Sequence, residues 1–160
     1  MEILVVDIET GGLTAGFDPV LVVCCKPLGR GKMEVYRKDV LQGKTNSDDS
    51  RLVEVAVARI NEADVLIMHN GVRFDRPFLN TRALKHGLPL LDSHGKVIDP
   101  VKLARKHLAL NYNSLDRVAQ ALNCKNHKTP ISDDMWVRAK YDEDKVAYDY
   151  VVKHCKADVL

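Results

Sequence analysis

Apolar and polar residues alternate along this chain in blocks that change period. The run "EILVVD" (2–7) is short and β-branched, and Gly11 and Gly12 follow it closely, which predicts a buried strand. "PVLVVCC" (19–25) predicts a second strand. "KMEVYRK" (32–38) alternates and follows "GRG", which predicts a third strand joined by a hairpin. After the polar stretch "QGKTNSDDS", the period lengthens. In "RLVEVAVARINEA" (51–63), Leu52, Val55, Ala56 and Ile60 fall at helical spacing, with Ser47 or Asp48 as candidate N-cap.

"DVLIMHN" (64–70) predicts another short strand. "DRPFLNTRALKHG" (75–87) predicts a helix, with Pro77 in its first turn and Gly87 at its end. "KVID" (96–99) predicts a strand whose Asp99 caps a helix through "PVKLARKHL". "NSLDRVAQALN" (113–123) predicts a further helix, "KNHKTPIS" a basic loop, and "DDMWVRAK" and "DEDKVAYDYVVKHCKADVL" the last helices. Three strands, then alternating helix and strand, then a helical final third imply an α/β fold: a mixed sheet with helices packed on it.

Composition narrows this only a little. The 160 residues suit a single domain, 1–160, with a core of its own, and 46% hydrophobic with 29% charged residues is ordinary for a globular chain. A net charge of +2 and a pI near 8.3 neither demand nor exclude nucleic acid. No apolar run approaches the roughly 20 residues that cross a bilayer, and the N-terminus lacks a signal-peptide pattern. A cytoplasmic or otherwise intracellular protein with no membrane partner is expected, a viral origin being compatible. Cys24, Cys25, Cys124 and Cys155 are read as reduced thiols filling apolar space, with Cys24 and Cys25 on opposite faces of one strand. "CKNH" (124–127) has no second ligand pair at zinc-finger spacing, so a structural zinc is not expected.

Three polar clusters carry candidate chemistry. Asp7 and Glu9 in "DIET" are two apart, so on a strand they face the same way; alone, they equally suit a strand end with one capping and one solvated acid. Asp75 in "HNGVRFDRPFL" (69–79) opens a helix, where the dipole alone would favour an acid. His154 and Asp158 in "HCKAD" (154–158) are four apart and share a helix face, as a solvated pair also would. Together, four carboxylates from the first strand, a later helix and the last helix would repel one another unless cations lie between them. Oxygen ligands select hard ions, Mg²⁺ or Mn²⁺, and two such ions about 3.5–4 Å apart serve phosphodiester hydrolysis.

In order and spacing, "DIET" (7–10), "NGVRFD" (70–75) and "HCKAD" (154–158) resemble the three exonuclease motifs of the DEDD 3′–5′ exonuclease superfamily. The third motif is most similar to the form seen in family B polymerase proofreading domains and related stand-alone nucleases. There a Tyr precedes the last Asp by four residues, a place that His154 holds here. The other branch places a His five residues before that Asp, where this chain has Lys153. The resemblance implies a ribonuclease H-like fold, a five-stranded mixed sheet flanked by helices with its first three strands antiparallel. It implies one metal ion on Asp7, Glu9 and Asp158 and a second on Asp7 and Asp75, with His154 beside the reacting water. It further implies that Thr10 and the backbone at Gly11 meet the terminal nucleotide and that Asn70 and Phe74 line the nucleic-acid groove.

Arg73, Arg76, Lys125, His127 and Lys128 are further candidates for phosphate contact, each equally readable as solvated charge. Trp136 could stack on a base or pack in the core. Asp99 is read as a helix cap rather than a fifth ligand. The leading functional reading is a metal-dependent 3′–5′ exonuclease acting on single-stranded DNA or RNA ends. The alternatives are a structure-specific endonuclease on the same fold and a non-catalytic module binding nucleic acid or a polymerase. The chain has no room for a polymerase domain, so proofreading would need a separate polymerase or replication protein.

Overall fold

The computed structural model describes all residues except 30, 42, 46–47, 93–95 and 126–131. Five strands, β1 (Ile3–Thr10), β2 (Val20–Pro27), β3 (Glu34–Arg37), β4 (Val65–Ile67) and β5 (Lys96–Ile98), form one sheet in the order β3-β2-β1-β4-β5. β1, β2 and β3 are antiparallel neighbours, whereas β4 and β5 run parallel to β1. From β1 the chain first builds leftward through β2 and β3, then returns to build rightward through β4 and β5. β1 and β4 therefore flank a topological switch point, where open α/β sheets form ligand crevices. Among the described residues there are six α-helices: α1 (Ser50–Asn61), α2 (Asp75–His86), α3 (Pro100–His107), α4 (Leu115–Ala121), α5 (Asp133–Val137) and α6 (Lys145–Asp158). None is long and apolar enough to cross a membrane.

Each sheet face buries its own core. Leu4, Val6 and Ile8 of β1 and Val23 and Cys25 of β2 pack with Leu52, Ala56 and Ile60 of α1 and Phe78 and Leu79 of α2. On the opposite face, Leu21, Val22 and Cys24 pack with Tyr148, Val151, Val152 and Cys155 of α6. Cys24 and Cys25 thus occupy opposite faces, as their adjacency predicts; Cys155 is also buried, but Cys124 is exposed and fills no core. Leu21 and Val22 are neighbours facing one side, which a regular strand does not allow. A β-bulge explains it: Glu9 pairs with Val22 but Thr10 pairs with Val20, leaving Leu21 as the extra residue.

The first strand departs from the sequence reading. Its apolar run stops at the acids, but β1 continues through Asp7 and Glu9 to Thr10 because β2 supplies ladder partners that far. β4 instead ends at Ile67, short of the expected 70, and Gly71 is why the chain can turn so tightly there: a Cβ on it would lie 2.1 Å from the Met68 Cβ. The final helical stretch is broken by a π-helical turn at Arg138–Asp142. Gly87 ends α2 in the left-handed conformation (φ 67°), with Leu88 N–H donating back to the Ala83 carbonyl, as expected of a C-terminal glycine. α1 is preceded by Asp49, which does not cap it through its side chain. Asp48 braces the start of α1 by accepting from Ser50 N–H, and hydrogen bonds from Ser50 and Lys44 hold its carboxyl down to about 2; Ser47 lies outside the described residues.

Asp49 is buried because it anchors three elements. Its carboxylate accepts Val20 N–H at 2.7 Å, receives the Arg82 guanidinium through Nε and Nη2 at 2.6–3.2 Å, and lies 2.6 Å from His86 Nε2. Arg82 Nη1 also donates to the Ala15 carbonyl, tying the β1–β2 loop to α2. Removing one partner of a buried pair strands the other charge, at a cost of about 3–5 kcal/mol. Arg82→Leu should therefore lower the unfolding free energy by about 3–5 kcal/mol in chemical denaturation. Asp49→Asn added to Arg82→Leu should recover part of that loss; a double variant as unstable as the sum of the singles would count against the pairing.

Candidate active site

β1 outlasts its parallel neighbour. The last β1–β4 pair is Val5 with Ile67, so the β4-facing edge of β1 is unpaired beyond it. The Ile8 N–H points to that edge and donates to Asp75 Oδ1 at 3.2 Å, from the first residue of α2. Asp75 is only 4% exposed, and burial raises its carboxyl from 3.8 to about 7; the charge on Asp99 adds to the rise, and hydrogen bonds from backbone amides oppose it. Asp99 caps α3 through Val101 N–H and also accepts Asn70 N–H at 2.9 Å. It is therefore engaged with backbone, as the cap reading holds. Its grip fixes Asn70 in the left-handed conformation (φ 61°) that starts the turn into α2.

Asp7 and Glu9 lie on the other face of β1, toward α6. Cys155 Sγ donates to the Asp7 carbonyl at 3.4 Å, which sets α6 against the strand. Burial drives the Cys155 thiol well above its ordinary value, so it packs as a neutral group. His154, one residue earlier and 5% exposed, places Nε2 3.8 Å from Glu9 Oε1 and 3.9 Å from Asp158 Oδ2. One donor atom from each of Glu9, His154 and Asp158 falls within 4.8 Å of the others, as does one from each of Asp7, Glu9 and Cys155. The Trp136 ring meets the His154 ring edge-on, centroids 6.3 Å apart, and packs on the α6-side core, so packing rather than base stacking accounts for it.

A cleft of about 440 Å³ at this end of β1 brings together Asp7, Asp75, Asp158, Asn70 and Phe74. A second cavity of about 450 Å³, mostly apolar, shares Asp7, Asp158, His69 and Leu115 with it as a common wall. Of the four acids expected to meet, Asp7, Asp75 and Asp158 line this cleft, whereas Glu9 lines neither cavity and lies alongside, with a carboxylate oxygen within 4.8 Å of one from Asp7 and of one from Asp158. Phe74 is held from behind by Phe78, ring centroids 5.5 Å apart. Thr10 and Gly11 lie one step further along β1 and line neither cavity. The Thr10 hydroxyl donates to the Gly12 carbonyl, and the Gly11 amide, expected to meet nucleotide, donates to the Pro19 carbonyl.

Among the basic candidates, Arg73 is exposed, Arg76 donates to the Asp92 carbonyl, and neither these nor Lys125 line the cleft. His127 and Lys128 lie outside the described residues. The sequence reading missed another part of the wall, formed by Arg105 of α3, Tyr112, Asn113 and Ser114 of the α3–α4 segment and Leu115 at the start of α4, which line the cleft together with the acids. His69 bridges to that wall through Nε2, 3.1 Å from the Asn113 carbonyl. The one local signal for it is the polar stretch "NYNS" (111–114) with an aromatic inside it, which says nothing of what it faces.

The donor set fits a hard cation. Glu9 lies within 4.8 Å of both Asp7 and Asp158, oxygen is the only ligand atom of all three, and burial penalises the charge on Asp75 in a place where a cation would favour it. A neutral thiol and one imidazole beside carboxylates do not make a soft-metal site.

The family model of the RNase_H superfamily matches residues 4–160. The chain is 27% identical over 159 aligned residues to the PolC-type DNA polymerase III of Ureaplasma parvum, a match covering 87% of this chain and 10% of that protein. Its fold resembles the family B DNA polymerase of the archaeon Pyrobaculum calidifontis, with a TM-score of 0.79, 23% identity, and coverage of 99% of this chain and 23% of that one. The chain thus spans a small part of either relative. With a mixed five-stranded sheet, helices on both faces and carboxylates gathered at the end of its first strand, the chain belongs to the RNase_H superfamily, as an RNase H-like nuclease domain.

Proposed function

We propose that this domain is a metal-dependent 3′–5′ exonuclease that hydrolyses phosphodiester bonds at single-stranded nucleic-acid ends. The observation that carries the reading is the meeting of Asp7, Asp75 and Asp158, from three separate elements, around one cleft, with Glu9 within 4.8 Å of both Asp7 and Asp158 and His154 set between Glu9 and Asp158. Asp7, Glu9, Asp75 and Asp158 would hold two Mg²⁺ or Mn²⁺ ions, which supply a nucleophile at neutral pH and stabilise charge on the phosphodiester oxygens. His154, with Nε2 beside Glu9 and Asp158, would orient the attacking water or take its proton. Asn70 and Phe74 border the same cleft and contact the strand entering it. The likeness to polymerases supports DNA as substrate and a polymerase or replication protein as partner.

The deciding measurement is a time course on single strands labelled at either end, with Mg²⁺ or Mn²⁺. A ladder of mononucleotides released from the 3′ end is expected, and excess chelator should abolish it. Internal cuts would establish an endonuclease instead, and no cleavage with either ion would sink the reading.

His154 is tested by substitution. His154→Ala should lose roughly 10²–10⁴-fold in rate if the imidazole handles the water or its proton. His154→Tyr should be impaired yet clearly faster than His154→Ala, because a phenol in that place keeps a hydrogen bond. A His154→Ala protein as fast as the parent at every pH would remove His154 from the site.

Asp75 makes the metal-free protein sensitive to pH. The unfolded chain releases this proton near 3.8, whereas the folded protein keeps it until about 7. Folded protein binds the extra proton between those values, so stability falls as pH rises from about 4 to about 7 and is level above. In chelator, the melting temperature should drop across that window, and Asp75→Asn should flatten the drop, its amide still accepting from Ile8. The difference at pH 7.5 should be on the order of a few kcal/mol, and saturating Mn²⁺ should restore the parent by binding the folded state alone. A parent and Asp75→Asn protein with identical pH profiles would refute the assignment.

A further inference from the structure

Three carboxylates in one cleft, with Glu9 close by, repel the phosphates they would cut, and cations within the site would offset only part of that charge. Something on the protein must also draw in the strand. The cleft holds one such group. Arg105 is the only lysine or arginine among its described lining residues. It is exposed, and among the described residues no hydrogen bond or ion pair engages its guanidinium. Most of the other described arginines are engaged. Arg37, Arg51, Arg59, Arg82 and Arg138 pair with carboxylates, and Arg76 and Arg117 with a carbonyl and a side-chain amide; Arg73 is as free as Arg105 but lies outside the cleft.

Arg105 has a plainer reading as a basic residue complementing the C-terminal dipole of α3. Lys106 and His107 occupy the same turn, are exposed and line neither cavity, so the dipole is served without it. The same cleft is walled by Tyr112, which is 74% exposed in a polar loop. Nothing in the core needs that ring. An exposed aromatic beside a free guanidinium is the pairing that holds single-stranded nucleic acid, ring on base and cation on phosphate.

Building on the nuclease reading above, we infer that Arg105 and Tyr112 form a subsite for a nucleotide flanking the scissile phosphate. Arg105 takes its phosphate through paired N–H donors, and Tyr112 stacks on its base. The ligand class is a phosphodiester-linked single strand. A base within a duplex is already stacked and paired, and cannot lie on Tyr112 without being pulled out, so this subsite selects single-stranded ends.

The test uses Arg105→Gln, Arg105→Lys, Tyr112→Ala, Tyr112→Phe and, as control, Arg73→Gln, an exposed arginine outside the cleft. Turnover of a single-stranded oligothymidylate is measured with Mg²⁺. Its affinity is measured by fluorescence anisotropy across salt concentrations in an Asp158→Asn background. All the substituted side chains are exposed, so melting temperatures should match the parent. Tyr112→Ala should raise both KM and Kd roughly 5- to 100-fold while Tyr112→Phe stays near parental. Arg105→Gln should raise both and lower the slope of log affinity against log salt by about 0.7, and Arg105→Lys should keep the slope. Turnover numbers should move far less than KM. Kd values for Arg105→Gln and Tyr112→Ala equal to that of Arg73→Gln would overturn the subsite, as would failure of the parent background to bind at all. Binding that these substitutions weaken, in a parent that never cleaves, would uphold the subsite and reject the nuclease reading.

Discussion

The amide of Ile8 has no strand to bond to on its β4 side, and the carboxylate of Asp75 takes it. Much of the site follows from this hydrogen bond. A backbone donor left unpaired at a buried sheet edge is costly, so some acceptor must come to it. Supplying it from the first residue of α2 fixes where that helix starts and brings a buried acid beside the strand that carries Asp7 and Glu9. The price is a carboxyl whose ionised form is disfavoured near neutral pH. A cation bound there would lift that cost, so that a structural hydrogen bond and the proposed metal site would share one side chain.

Asp49 and Asp75 show how two buried carboxylates on one helix's surroundings reach opposite outcomes. Asp49 receives Arg82, His86 and Val20 N–H, so its charge is matched and its geometry is locked. Asp75 receives one amide from β1 and faces a second buried acid, Asp99. The first arrangement resists change and anchors α2, the β1–β2 loop and the start of β2 together. The second is left short of positive charge at the mouth of the crevice. Arg82 lies two turns beyond Asp75 on α2, so the ion pair that stabilises the fold also sets the position of the acid in the site. On the other sheet face α6 is held by its apolar side through Tyr148, Val151 and Cys155, and His154 and Asp158 ride on the same helix. Rigid placement of both helices against one strand is what keeps the four acids close despite their repulsion.

The parts of this design that depend on local pattern were legible in the sequence. The periods of 2 and 3.6 locate the sheet strands and the main helices, Gly87 marks the end of α2, and Asp99 is a cap as its place before Pro100 implies. The convergence of Asp7, Glu9, Asp75 and Asp158 followed from motif order. What hydrophobicity could not give is the length of β1, because its last residues are held by ladder bonds to β2 rather than by burial. The bulge at Leu21 has no signature in a uniformly apolar strand, though it sets the register beside Glu9. The π-helical turn is equally hidden: its residues read as ordinary helix, and only tertiary contacts such as Lys140 with Asp18 bear on it. Arg105 and Tyr112 escaped for a related reason. They sit some thirty residues or more from any motif, and their meaning lies in the wall they face.

The weak overall charge of +2 is consistent with that wall. A protein that tracks a long polyanion spreads lysines and arginines along a face, and its affinity collapses steeply with salt. Here most arginines are consumed in holding elements together: Arg59 joins β1's leading Glu2 to Glu34 of β3, Arg37 joins β3 to α6, and Arg82 joins α2 to β2. The proposed grip of one guanidinium, two aromatic rings and a cation-holding pocket would be short-range by construction. It would favour an end that can enter the cleft over the middle of a strand, because an end needs only a few nucleotides' worth of contact to be held. The use of most arginines to hold elements together thus fits the proposed end-binding geometry, as the gathered acids do.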